Sequence, residues 1–519
     1  MVHVRRGGYG IRKAGWVALV VGVAFLYGCG GSGGLSGGNQ VNQSPSSRDK
    51  LSGVISDRNG VPIAGVTVTL YYNNSNTAAA ATTDSSGAYS FTDLYNNQYS
   101  DYAVYAEKSG FAFYPSVTDP AGKVMREDFN GNYRTVIRFL TMPSHDVTGA
   151  NFTAFRPGDR LASLPSTGEA TSYAAGDDYS VRAGVTWPAT RFTDHQDGTV
   201  TDNLTGLVWL KNAGCFPPAG WSTGLANANQ LASGQCGLTD GSLPGQWRMP
   251  NVNELESLVD VSQAAPSLPA GAPFSNVAQG NAYWSSTTYM AGIANALAIR
   301  FTDGRWINGQ DAGDGSFSNT KSSSSNSVWA VKSGGTGTVK LLATGLFSGQ
   351  GGGSGISFGA GDDPALQLGT PLTSPRFVDN GNGTLSDTVT GLTWLKKADC
   401  ISGNWSDSLT AVNALSTGQC GLTDGSSPGE WRMPNRNEML SLADRAPTFP
   451  IANYYNGIPG PDGVTVTFTP VFQSFKVFTY YWTSTSYQPD SGEAWSVYSC
   501  DFGVYNHAKS AIGYALAVR

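Results

Sequence analysis

Between Leu51 and Tyr72, apolar and polar residues alternate in LSGVISDRNGVPIAGVTVTLYY, with turns at Asp57 to Gly60 and at Ala64-Gly65. Period-two alternation rich in β-branched residues predicts strands that bury one face. A turn at Asp84 to Gly87 and a strand in TTDSSGAYSFTDL follow, and then YAVYAEKSGFAFYPS. Short strands recurring at about ten-residue spacing predict an all-β sandwich over residues 51–155.

From Arg191 onward the pattern is written twice. RFTDHQDGTVTDNLTGLVWLKNAGC, Arg191 to Cys215, returns at an offset of 185 as RFVDNGNGTLSDTVTGLTWLKKADC, Arg376 to Cys400. GQCGLTDGSLPGQWRMPNVNELESL returns as GQCGLTDGSSPGEWRMPNRNEMLSL, and AGDD stands at Ala175 to Asp178 and at Ala360 to Asp363. A period this long is the size of a domain with its own core, not of a solenoid unit. Two tandem copies are expected, over 156–332 and 358–519, joined by a Gly/Ser/Thr-rich linker at 333–357. Tandem copies gain avidity without new contacts, which suits a binding protein better than an enzyme.

Each copy opens on a predicted hairpin, with the first turn at His195 to Gly198. Pro250-Asn251-Val252-Asn253-Glu254 reads as a helix start, with Asn251 as N-cap and Glu254 as its reciprocal partner, and Pro434 to Glu438 repeats it. The short helix that follows should bury Leu255, Leu258 and Val259. YWSSTTY (Tyr283 to Tyr289) and YWTSTSY (Tyr481 to Tyr487) predict strands, with Trp284 and Trp482 in the core. VWAVK at Val328 to Lys332 and YALAVR at Tyr514 to Arg519 close the copies as strands.

The N-terminus changes the picture. Arg5, Arg6, Arg12 and Lys13 precede an apolar run, Trp16 to Leu26, too short for a comfortable bilayer span. Leu26-Tyr27-Gly28-Cys29 resembles the lipobox of bacterial lipoproteins. That resemblance implies cleavage after residue 28, a lipid on Cys29 and a membrane as partner through that anchor. Gly30 stands where an inner-membrane retention Asp would, so outer-membrane or cell-surface placement is expected. Residues 29–50, rich in Gly, Ser and Asn, should be a flexible tether. Loss of the four cations takes the formal net charge from −6 to −10, and only 13% of residues are charged, which argues against a nucleic-acid partner.

Cys215 and Cys236 occupy the same repeat positions as Cys400 and Cys420. Equivalent disulfides within each copy, Cys215–Cys236 and Cys400–Cys420, are the simplest framework in an oxidising space. Zinc would want CxxC spacing and nearby His, and neither is present. Cys500 has no counterpart and reads as a buried free thiol.

The motifs carry two further resemblances. NGVPIAGVTVTL, TDSSGAYSF and the closing GANFTAF resemble the carboxypeptidase regulatory-like family, which implies a prealbumin-like sandwich used as spacer or adhesion module. D-G-T-V-x-D-x-x-T-G-L-x-W, then W-R-M-P-N-x-x-E, then Y-W-[ST]-S-T, then A-V-[RK], resembles the Lcl C-terminal-domain family of bacterial surface lipoproteins. W-R-M-P is also similar to a motif of formylglycine-generating enzymes and their C-type-lectin-like relatives. Together these imply a mostly β chain with α+β repeats: an Ig/prealbumin-like β-sandwich, then two C-type-lectin-like domains. The Lcl resemblance implies adhesion to host glycans and glycosaminoglycans.

Candidate chemistry is sparse. Asp194, Asp197 and Asp202, with Asp379, Asn382 and Asp387, offer oxygens to calcium, but the frame lacks a closing Glu and Asp-Gly is a hairpin signal, so turns are favoured and no cofactor is expected. Trp247, Arg248 and Glu254, like Trp431, Arg432 and Glu438, suit a shared structural role: core Trp, capping Glu and an Arg satisfying it. No GxSxG, HExxH or Walker pattern occurs, and His145, His195 and His507 sit at unrelated places, so an enzyme is not expected. A sulfatase-modifying-type enzyme would need late cysteines in both copies. Ligand contacts should lie where the copies diverge, at Asp303, Arg305, Trp306 and Asn308 in the first and Asp501, Tyr505, Asn506 and His507 in the second. The expected function is a surface protein binding a glycan or extracellular protein. The alternative is a structural cell-envelope protein without a small ligand.

Overall fold

The computed structural model describes residues 48–72, 76–95, 101–129, 132–140, 142–143, 145–290, 292–307, 319–346, 361–446, 456–459, 465–467, 471–499 and 502–519. Residues Ser46–Arg519 form one compact unit. Cys29, Asn308, Cys500 and Asp501 lie outside the described residues.

The alternation at the start of the unit becomes a two-sheet sandwich. One sheet runs Ala88–Tyr95, Arg48–Asp57, Ala150–Phe155, Ala112–Val117, with Val147–Thr148 beside Arg48–Asp57. The other runs Asn76–Thr82, Thr67–Tyr72, Tyr102–Glu107, Asn132–Phe139, Gly122–Phe129. Leu51, Ile55, Val68, Leu70, Phe91, Val104, Ile137 and Phe152 fill the space between them. Gly53 is required here, because a Cβ would fall 1.8 Å from the Ala150 carbonyl oxygen. The Tyr89 hydroxyl donates to that same oxygen at 2.5 Å.

Each copy is a pair of small sheets with short helices. In the first, Phe192–Asp194, Thr199–Asp202, Val208–Leu210 and Val331–Lys332 form one sheet, and Tyr283–Thr288, Ala296–Arg300 and Arg305–Ile307 the other. In the second, Phe377–Asp379, Thr384–Asp387 and Thr393–Leu395 repeat the hairpin. The larger sheet there runs Ile401–Gly403, Gly513–Ala515, Tyr480–Ser486, Glu493–Tyr498, Val504–Ala508, so Val504–Ala508 is an edge strand. The two disulfides close as the repeat positions predict, Cys215–Cys236 and Cys400–Cys420, with Cα separations of 5.6 and 5.7 Å.

Tryptophans fasten the helices to the sheets in the same way twice. The Trp221 indole N–H donates to the Ser285 carbonyl and that of Trp405 to the Thr483 carbonyl, each at 2.8 Å. Trp247 and Trp431 are fully buried, their N–H groups on the Ser242 and Ser426 hydroxyls. A buried indole needs such a partner for its one donor.

The linker expected at 333–357 is not a free spacer over its first half. Val339, Leu342, Ala343, Thr344 and Leu346 are buried. The segments leading into the copies are exchanged. The short helix Asp178–Val181, ahead of the first copy's opening hairpin, packs on strand Tyr480–Ser486 of the second. Helix Asp363–Leu366, ahead of the second copy's opening hairpin, packs on strand Tyr283–Thr288 of the first.

Candidate functional site

The acidic turns are fasteners. Arg191 donates to both carboxylate oxygens of Asp202 at 2.9 and 3.2 Å, and Arg376 to those of Asp387 at 3.0 and 2.6 Å. Asp194 pairs with Lys211 at 2.6 Å and Asp379 with Lys396 at 2.5 Å. Asp197 and Asn382 each accept from the backbone and hydroxyl of the Thr two residues on. These oxygens are spent on protein donors, as a hairpin turn requires.

The W-R-M-P-N-x-x-E motif builds the expected capping box. The Asn251 side chain accepts from the Glu254 N–H and the Glu254 carboxylate accepts from the Asn251 N–H, and Asn435 with Glu438 does the same. Arg248 grips Glu254 through two bonds of 2.7 and 2.6 Å, and Arg432 grips Glu438 through two of 2.6 Å. Bidentate geometry holds each carboxylate at its helix start.

The exchanged segments lock onto these same helix starts. The Asp363 carboxylate accepts from Thr344 at 2.7 Å and from Thr287 of the first copy at 2.8 Å. Thr287 in turn accepts from the Val252 N–H at 3.0 Å. Asp178 accepts from Thr167 at 2.6 Å and from Thr485 of the second copy at 2.7 Å, and Thr485 accepts from the Arg436 N–H. Burial pushes the Asp178 carboxyl up to about 6 and that of Asp363 up to about 7, against the hydroxyl donors that favour the charged form. Glu169, raised to about 8 first by burial and then by the Asp178 charge, accepts from the Ser486 N–H at 3.1 Å. AGDD was legible as a repeat, but its neighbour was not.

The divergent region separates the two copies. Trp306 was expected among the ligand contacts, and the structure corrects this: it is 1% exposed. Its N–H donates to Glu256 at 2.6 Å and the Arg445 guanidinium of the second copy lies 4.6 Å over its ring. Arg436 of the second copy joins Glu256 at 2.9 Å and donates to the Gly304 carbonyl at 2.6 Å, while stacking 4.2 Å over Trp495. Asp303 is buried too, held by Arg300 and by the Tyr487 hydroxyl at 3.3 Å. Arg305, half-buried, pairs with Asp303 at 3.4 Å. In the first copy the described candidates are therefore interface residues. Trp306 and Asp303 are buried there and present no surface to a ligand, whereas Arg305 stays partly exposed.

In the second copy the edge strand Val504–Ala508 turns Tyr505 and His507 to one face and Asn506 to the other, where Asn506 donates to Glu493. All three are half-buried. Two residues that the sequence reading missed, Tyr480 and Tyr498, share the face of Tyr505 and His507 through the pairings Tyr480↔Tyr498 and Ser496↔Tyr505. Ring centroids lie 3.6 Å apart for Tyr480 and His507, 5.5 Å for Tyr480 and Tyr498, and 6.2 Å for Tyr498 and Tyr505. The missed signal was the extra Tyr preceding YW and the Tyr in SVYSC, neither of which the first copy has. Desolvation lowers the His507 pKa, so the ring is neutral at pH 7 and its Nδ1 lies 2.8 Å from the Ser496 hydroxyl.

The family model of the Lcl C-terminal domain matches residues 198–332 and again 383–519. That of the carboxypeptidase regulatory-like domain matches residues 50–130. No curated protein matches the chain.

Proposed function

Because the chain belongs to the Lcl C-terminal domain family through both of its copies, we propose that it is an exported, lipid-anchored surface protein that binds glycans through its second copy. Its two kinds of domain mark a surface or envelope protein. The observation that supports binding is the asymmetry of the divergent strands. Trp306 is sealed between the copies, whereas Tyr505 and His507 stand half-exposed beside two further tyrosines. Aromatic faces edged by hydroxyl and imidazole groups suit sugar rings, which present C–H on their faces and hydroxyls at their rims. The sandwich and the first copy then carry and brace the binding copy without catalytic work.

The test is a glycan array probed with the mature chain, with and without calcium. Binding that is lost in Tyr505→Ala supports the reading. Absence of binding to every glycan would overturn it and favour a structural envelope role, which the interlocked copies would also serve. The anchor is checked separately: Cys29→Ser should move the chain from the membrane fraction to the soluble one, and labelled palmitate entering that variant would refute the lipid assignment.

A further inference from the structure

We propose that strand Asn76–Thr82 of the sandwich is a docking edge, at which two molecules of this protein join their sheets antiparallel into one. The strand pairs with Thr67–Tyr72 on one side, and among the described residues it pairs with nothing on the other. Such an edge presents a row of unused N–H and C=O groups, a template for another strand. The proposal does not depend on the glycan-binding reading.

Which groups face outward follows from the ladder. The Thr83 N–H donates to the Val66 carbonyl at 3.0 Å, and the Thr83 carbonyl accepts from the Gly65 N–H at 2.9 Å. Thr83 therefore spends both of its groups on the inner neighbour. Bonded and non-bonded positions alternate along an antiparallel pair. Thr82 and Ala80, opposite Thr67 and Thr69, accordingly aim their N–H and C=O groups away from the sheet, and Ala81 turns its own inward.

The sandwich's other edges are guarded. Ala88–Tyr95 carries a register shift against Arg48–Asp57, with Asp93 at a φ of 60°. Ala112–Val117 contains Pro115, which lacks an N–H, and its Phe113 is already bridged to Ser374. Gly122–Phe129 shows an exposed Lys123. Bulges, prolines and lysines are the devices that stop a strand edge from pairing. From Ala79 to Thr82 the remaining edge has none of them. Its register is regular there, past the shift at Leu70/Tyr71, and it bears neither charge nor proline.

The residues of this edge suit a second copy of itself. Thr77-Ala78-Ala79-Ala80-Ala81-Thr82 reads the same in both directions. An antiparallel neighbour with the same sequence then sets alanine beside alanine about a two-fold axis at Ala80, the isologous contact of a symmetric dimer. Ala79 and Ala81 pack on the sandwich core, while Ala80 is exposed. The side chain at the axis is thus a methyl group, too small to hold two backbones apart. Like charges directly opposite each other would oppose such pairing, and the strand has no charge to place there.

Sedimentation equilibrium of the mature chain from about 1 to 200 µM tests this. A reversible dimer with a Kd on the order of 10 µM is expected for a contact built on one strand pair. Hydrogen exchange at the Ala80 and Thr82 amides should slow about fivefold from the dilute to the concentrated end, with the Ala81 amide unchanged. Ala80→Pro removes an outward N–H and leaves the inner ladder whole, and Ala80→Lys puts like charges at the axis. Each should raise Kd by about thirtyfold or more while melting like the parent, and the lysine variant serves if the proline variant does not fold. A parent that stays monomeric at about 200 µM would overturn the inference and leave the edge to a foreign strand at most. A folded variant of either kind that dimerises as the parent does would overturn it too, by placing the contact elsewhere.

Discussion

Trp306 and Val504 stand at equivalent register positions, each opposite the Ile299 or Val497 of its own copy, and both are buried where the copies meet. What differs is their chemistry. Trp306 brings an N–H that needs Glu256, and Glu256 needs Arg436, so one aromatic side chain draws a buried ion pair into the interface. Trp306→Ala should lower stability by about 3–5 kcal/mol in denaturant unfolding, the cost of a deleted buried aromatic. Tyr505→Ala, at a half-exposed site, should cost about 1 kcal/mol or less. Equal costs would contradict the placement of one inside and the other outside. The locking aspartates make a second prediction at this scale. Their folded pKa values, about 6 for Asp178 and about 7 for Asp363, lie above the ordinary aspartate value of 3.8. Their contribution is therefore fully present below the unfolded pKa and is lost progressively as pH rises from about 4 to between 6 and 7. The midpoint of urea unfolding should fall across that window, and the fall should shrink in Asp178→Asn and Asp363→Asn. A midpoint that rises over the same window would contradict the sign.

The elements were the most legible part of the sequence. Capping boxes at Asn251 and Asn435, hairpins at the Asp-Gly and Asn-Gly turns, and both disulfides follow from neighbours within about twenty residues. Exposure was not legible, because it depends on what another element brings from far along the chain. Trp306 looked like a surface residue since Arg445, the side chain that covers it, belongs to the other copy. The described part of 333–357 looked like a spacer since its composition is that of one, yet Thr344 and its neighbours are buried. Removing both Cys215 and Cys236 as Ser should lower stability by about 3 kcal/mol, the chain-entropy value for a loop of this length. Urea melts of the double variant against the parent would measure it, and an unchanged midpoint would show that the bridge constrains nothing.

For the whole molecule, the exchange matters more than the repetition. Each copy has its own core but receives its neighbour's leading segment at the start of its capping helix. Tandem domains on a string would gain reach and avidity, whereas interlocked ones present one surface at a fixed orientation. That arrangement fits a division of labour in which the first copy braces and the second recognises. The most direct test is hydrogen exchange on two single variants. Asp363→Ala, in the segment that leads into the second copy, should speed exchange in strand Tyr283–Thr288 of the first copy by about tenfold, as loss of a buried bond permits local opening. Asp178→Ala should do the same to strand Tyr480–Ser486 of the second copy and spare Tyr283–Thr288. If each variant instead loosened only the copy that follows it in sequence, the copies would not be interlocked.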